Sequence, residues 1–286
     1  MNHSPGFSKS TPEKAAERRL HLIIYGVAFL MVLVPFLFWQ GTWFGRKLSE
    51  QEMAKYLSPN AKPRNIQHAL LQISEQIAGG KKEEVKKWYP NLLALSNHPV
   101  SEVRVTVAWS LGQDSQEPAF RSALQNLLKD PNLLVRRNSA LALVRFGDGS
   151  GREELMNILK PVPVLSPRDG KIQFRLKEDD SLSPGTLVAR IQTGESEPFE
   201  FRSPLPGYLE EKLVADGKTV SLGEPVFRLS PSEEEVWEAL RGLYFVGQIE
   251  DISGIEVFTG RSPHMTGRIQ QQARLTIDEI KKRNSN

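Results

Sequence analysis

The sequence predicts a mainly α-helical protein with an N-terminal transmembrane helix, a repetitive helical array, one small all-β domain and closing C-terminal helices. Three observations carry that expectation. A charge-free apolar run fills residues 20–39, a helix pattern returns at an offset of 32 residues, and one short strand pattern is written twice between residues 162 and 231. The 286 residues have room for about two domains. Lys plus Arg number 37 against 34 for Asp plus Glu, a net charge of +3 with no basic stripe interleaved with aromatics, which argues against nucleic acid as a partner. There are no cysteines, so disulfides, Cys-ligated zinc, iron–sulfur clusters and covalent c-type haem are excluded.

The apolar run LHLIIYGVAFLMVLVPFLFW extends from Leu20 to Trp39. At about 1.5 Å of rise per residue it reaches roughly 30 Å, the thickness of a bilayer core. Trp39, Trp43 and Phe44 stand where an aromatic belt would lie, and Pro35 is tolerated inside such a helix. A signal peptide has a shorter apolar part, about 7–15 residues, ending in small residues. This run ends in FLFWQGTWFG, so the expectation is an uncleaved anchor over residues 20–40. A flexible tail, 1–19, precedes it and a linker, 41–64, follows. Lys9, Lys14, Arg18 and Arg19 lie before the span, and Arg46, Lys47 and Lys55 after it. The positive-inside rule then puts the N-terminus in the cytoplasm and the body in the periplasm, as for a single-pass protein of a bacterial inner membrane.

From residue 65 the pattern becomes helical. VRVTVAWSL from Val103 and VRRNSALAL from Val135 both read Val-Arg, with Ala five and Leu eight residues after the Val. Val103, Val107, Ala108 and Leu111 share one helix face. Each such segment is followed by a second helical one, EPAFRSALQNLLKD and GREELMNILK, and an earlier pair, IQHALLQI and EEVKKWYPNLLAL, fits the scheme more loosely. A period of this length is that of stacked helical hairpins. These units resemble HEAT-like repeats of the short bacterial kind, also found in phycobilin lyases, and the resemblance covers residues 65–161. It implies an α-solenoid that offers a surface to protein partners. Arg104, Lys129, Arg136 and Arg137 are expected on an exposed face that is either solvated, the preferred reading, or turned to an acidic partner.

Residues 162–231 are rich in proline and glycine, with short apolar runs of strand length. SPRDGKIQFRLKEDDSLSPGTLVARI begins at Ser166 and SPLPGYLEEKLVADGKTVSLGEPVFRL at Ser203. Alignment pairs Ser166-Pro167 with Ser203-Pro204, Gly170 with Gly207, Asp179-Asp180 with Asp216-Gly217, and Gly185 with Gly223. The offset is 37, growing to 38 after the turn. Such a duplication suits two interlocked β halves related by a pseudo-twofold axis. It resembles the biotinyl/lipoyl barrel-sandwich hybrid. In carrier members of that family a Lys on the exposed hairpin between the halves carries the cofactor. Here that hairpin, Gln192 to Phe201, has no Lys, and Lys177 and Lys212 lie within the halves, so the resemblance implies an unmodified domain. Membrane-fusion adaptors keep the same hybrid behind an N-terminal membrane helix, but insert a long coiled coil between the halves. This chain has no heptad run.

Residues 232–286 close the chain with helices. Ser230 or Ser232 caps the first, with Glu233, Glu234 and Glu235 in its opening turn, and VWEALRGL from Val236 continues the looser repeat spacing. GRIQQQARLTIDEIKKR follows, with Ile269, Ala273, Ile277 and Ile280 on one face. His3, His21, His68, His98 and His264 are scattered, and none has metal-ligand spacing. GDGSG from Gly147 reads as a turn in which Asp148 caps the next helix. The sequence names no catalytic, cofactor-binding or metal-ligating residue and implies no cofactor. The functional expectation is a non-enzymatic, membrane-anchored scaffold or accessory subunit of a larger membrane complex, respiratory or otherwise electron-transferring. Its partners would be the bilayer, through residues 20–40, and integral membrane subunits. The alternative is a periplasmic adaptor of a transport system.

Overall fold

A computed structural model describes residues 24–36, 46–194, 197–261 and 263–285. The chain divides into two compact units, residues 1–55 and 56–286. In the first, α1 covers 24–36, and its apolar side chains are exposed on every side, from Ile24 and Tyr25 to Val34 and Phe36. Among the described residues no helix is long and apolar enough to cross a membrane. The ends of the predicted span at 20–23 and 37–40, the tail 1–19 and residues 41–45 of the linker lie outside the described residues.

The second unit is built on helix pairs. In order they are α3 (Pro63–Ala78) with the short α4 (Lys82–Val85) and α5 (Tyr89–Leu95), α6 (Ser101–Leu111) with α7 (Pro118–Leu127), and α8 (Leu133–Val144) with α9 (Arg152–Ile158). α2 is Glu50–Tyr56. α3, α6 and α8 pack side by side, and Ile66, Leu70, Leu92, Val103, Val107, Leu111, Phe120 and Leu124 are fully buried. Starts are set by chemistry that the sequence carries openly. Pro118 occupies the first turn of α7, and the Asn132 carboxamide accepts from Leu134 N and Val135 N at 2.9 and 3.3 Å.

The Val-Arg signature has a structural reason. Arg104 Nη1 donates to the carbonyls of His98 and Pro99 at 2.8 and 3.1 Å, and Arg136 Nη1 does the same, 32 residues on, to those of Asp130 and Pro131 at 2.9 and 3.2 Å. Each arginine so clamps the loop that leads into its own helix. Arg104 also grips Asp130 in a two-pronged pair, Nε–Oδ2 2.6 Å and Nη2–Oδ1 2.9 Å, while Arg136 Nε reaches Glu154 at 3.3 Å. The expectation of a solvated face is therefore corrected for three of the four residues. Arg104 and Arg136 are half-buried, bonded to the loops they hold and to their acids, and Arg137 is buried in its pair with Glu235; only Lys129 is exposed.

Asp148 does cap the turn into α9, accepting from Ser150 N at 2.8 Å, and also binds Arg121 and Gln125 of α7 at 2.6 and 2.8 Å. Burial works to raise its pKa, but the bonds from Ser150 and the Arg121 guanidinium outweigh it and bring it down to about 2. A depressed carboxyl stabilises fully above its unfolded value near ~4 and loses that contribution as pH falls towards the folded one. Asp148→Ala is expected to cost about 1–2 kcal/mol at neutral pH, the scale of a helix cap. The check is the urea midpoint measured at pH 7 and again near pH 2, where the gap between the variant and the parent should close.

The β domain holds β1 (Val162–Leu165), β2 (Gly170–Phe174), β3 (Ser181–Leu182), β4 (Leu187–Gln192), β5 (Phe199–Arg202), β6 (Gly207–Lys212), β7 (Thr219–Val220) and β8 (Pro225–Ser230). They form two antiparallel four-stranded sheets, ordered β1-β8-β6-β3 and β5-β4-β2-β7. Adding four to each strand number, cyclically, converts one sheet into the other, so the duplication in the sequence is a twofold relation in the fold. It extends to single bonds. Ser166 Oγ and Ser203 Oγ each donate to the carbonyl two residues on at 2.7 Å, and Gly185 N and Gly223 N donate to the carbonyls of Ser203 and Ser166 at 2.8 Å.

One pairing is corrected. Ile172 lies opposite Ile191 and Leu209 opposite Leu229, but Gln173 opposite Arg190 corresponds to Glu211 opposite Arg228. The extra residue of the second half is thus Glu210, in a β-bulge, and the offset becomes 38 there, before the turn. Asp179 (φ 71°) then matches Gly217 (φ 79°), and Glu178, which accepts from Lys212 N, matches Asp216, which accepts from Phe174 N.

After the β domain come α10 (Glu233–Val246), α11 (Ile252–Glu256) and α12 (Gly267–Asn284). Ser232, not Ser230, caps α10, in a reciprocal capping box with Glu235. Leu155 and Ile158 of α9 share one core with Val236, Leu240 and Leu243 of α10 and Ile269, Ala273 and Ile280 of α12. The helices before and after residues 162–231 therefore form one continuous array, into which the β domain, with its own core around Ile172, Val188, Leu209 and Phe227, is inserted.

Candidate interaction groove on the helical array

α8 lies between α6 and α10, and small residues let the three approach. A Cβ on Gly112 would stand 2.8 Å from the Ala142 Cβ of α8, and one on Gly242 3.3 Å from the Val144 Cγ2 of α8. The face that these helices present away from their hairpin partners is a groove of about 470 Å³. Trp109 from α6 and Phe245 from α10, 41% and 61% exposed, stand on the two sides of α8, which contributes Leu141 and Arg145. Large aromatics are rarely left open on a soluble face without a partner to cover them.

Polar groups sit between these apolar walls. Arg145 Nη1 donates to Gln113 Oε1 at 2.9 Å and to the Gly112 carbonyl at 3.3 Å, which fixes its guanidinium. Arg241 pairs with Glu238 at 3.9 Å and lies 4.4 Å over the Trp237 ring, whose other neighbour is Arg268 at 4.0 Å.

A second cleft, of about 300 Å³, lies where the β domain meets the loop before α12. His264 stacks on Tyr208 with centroids 3.9 Å apart, and its Nε2 is 3.3 Å from Asp179 Oδ1. Asp179 and His264 are the two described non-glycine residues in the left-handed region, and they meet at this cleft. His98 has a structural role: its Nδ1 accepts from Val100 N at 3.1 Å, so Nε2–H donates to the Pro59 carbonyl, also at 3.1 Å. Among the described residues no group of three or more His, Cys, Asp or Glu is placed to hold a metal ion. Lys177 is exposed on the loop after β2, and Lys212 Nζ lies 4.9 Å over the Phe174 ring, both away from the β4–β5 hairpin.

The groove was not named from the sequence, although one signal was there. Trp109 falls off the apolar face set by Val103, Val107, Ala108 and Leu111, where a solvated helix would carry a polar residue.

The family model for HEAT repeats matches residues 89–163, from α5 to the start of β1. No curated protein matches the chain. The groove spans two helices of the matched segment, α6 and α8, together with α10 beyond the insertion.

Proposed function

We propose that the chain is a non-enzymatic, single-pass membrane-anchored scaffold, an accessory subunit of a larger membrane protein complex, respiratory or otherwise electron-transferring, in a bacterial inner membrane. The observation that carries the scaffold role is the aromatic-walled groove on an array of HEAT repeats, an architecture that serves protein interaction. Support for the anchor comes from α1, apolar all round and exposed, within a charge-free run of twenty residues. The β domain acts as an unmodified biotinyl/lipoyl-like module. Its two interlocked four-stranded sheets and their twofold relation support that likeness, and the lysine-free β4–β5 hairpin leaves no amine for a cofactor.

The anchor and its orientation can be tested directly, because a chain without cysteine accepts single reporters. Ser115→Cys, exposed in the array, is expected to react with a membrane-impermeant maleimide in spheroplasts, and Ser4→Cys only after permeabilisation. The reverse pattern would overturn the orientation. Release of the chain by alkaline carbonate would overturn the anchor.

A further inference from the structure

We propose that the groove receives a partner's peptide segment that sets a carboxylate against Arg145 and a large apolar side chain against the Trp109 wall. The inference rests on the scaffold reading above and adds the chemistry of the partner.

The argument starts from the arginines. In the helical segments from α6 to α10, Arg104, Arg121, Arg136, Arg137, Arg152 and Arg241 each have a carboxylate within 4.0 Å. Arg145 has none among the described residues, and it is exposed on the groove. It is nevertheless held in place, since Nη1 is bonded to Gln113 Oε1 and the Gly112 carbonyl. Nη1 is thus anchored, while Nε–H and the Nη2 donors, the fork that a carboxylate matches, have no partner among the described residues. The one acidic side chain on the groove, Glu238, is already turned to Arg241. The groove therefore has a cation in excess and would repel a basic segment.

The walls supply the rest. Trp109, Leu141 and Phe245 give the groove apolar walls, and burying a large apolar residue against one of them contributes about 1.5–3 kcal/mol. A lone guanidinium beside aromatic rings suits a peptide better than a membrane surface, whose attraction depends on clusters of several basic residues.

The experiment is selection of a displayed library of random twelve-residue peptides on the full chain in detergent micelles. Enriched peptides are expected to carry Asp, Glu or a free C-terminal carboxylate close to a large apolar residue. When synthesised, they should bind Arg145→Glu and Trp109→Ala about tenfold or more weaker than the parent. Lys129→Glu, exposed and away from the groove, should bind as the parent does, and melting curves of all variants should coincide. Enrichment of peptides without a carboxylate, affinity indifferent to Arg145→Glu, or no enrichment over a blank surface would overturn the proposal. A chain that migrates alone from native membranes yet selects acidic peptides would sink the scaffold reading and leave this chemistry standing.

Discussion

Arg137→Ala is expected to lower stability by about 3–5 kcal/mol, the scale of a broken buried ion pair. Arg137 is 5% exposed on α8, and its Nη1 donates to Glu235 Oε1 at 2.5 Å across the whole inserted β domain. Glu235 is committed twice, since its other oxygen accepts from Ser232 N at 3.1 Å to close the capping box of α10. Burial pushes the Arg137 pKa down, and the Glu235 and Glu154 carboxylates push it back. Removing it leaves Glu235 without its cation in the seam between α8 and α10, while Glu154 keeps Arg136. The chain already carries some of that cost, because Arg137 Nε and Glu154 Oε1 have no protein partner. Arg137→Met with Glu235→Leu should recover much of the loss, as apolar replacements of whole buried pairs do. The reading is the urea midpoint at constant slope. A drop under about 1 kcal/mol for Arg137→Ala, the range of an exposed pair, would show that the seam does not rest on this contact.

Gly207→Ala is expected to cost about 3 kcal/mol or more. The residue opens β6 at φ 145°, and a Cβ there would stand 2.1 Å from the Ser230 carbonyl oxygen of the neighbouring strand. Backbone cannot swing aside as a flexible side chain can, so overpacking and strain add. The twofold relation sets internal controls. Gly170, the counterpart at φ 149°, would bring its Cβ 2.6 Å from Gln192 O, a softer clash. Gly223, at φ 80° with open space around it, should cost only about 1 kcal/mol when replaced by Ala. Thermal melting of the three variants should rank them 207, 170, 223. Equal losses would mean that the two sheets do not interlock as described.

The duplicated β domain was the most legible part of the sequence, because Ser-Pro, Gly and turn residues recur for local reasons that survive in the fold: Ser Oγ bonds at 166 and 203, close strand contact at 170 and 207. Where the reading slipped, at Asp179-Asp180, the cause was the bulge at Glu210, whose extra residue has no marker in a single strand. The helical repeat was legible for the same reason, a motif tied to its own loop. What Arg104, Arg136 and Arg137 do was not, because charge normally marks a solvated face and their partners, Asp130, Glu154 and Glu235, lie 18 to 98 residues away. The groove was hidden likewise. Its third wall, Phe245, is on α10, and nothing in the spacing tells that α10 returns to α8 after the β domain.

Extraction of the native membrane in mild detergent, followed by a native gel and mass spectrometry of whatever co-migrates, tests the scaffold role most directly. The account predicts that the chain runs in a large assembly with energy-converting subunits, and that Trp109→Ala with Phe245→Ser releases it without loss of its fold. Migration alone at its own 32.2 kDa plus detergent would contradict it, and co-migration with a transporter would move the chain to the adaptor role.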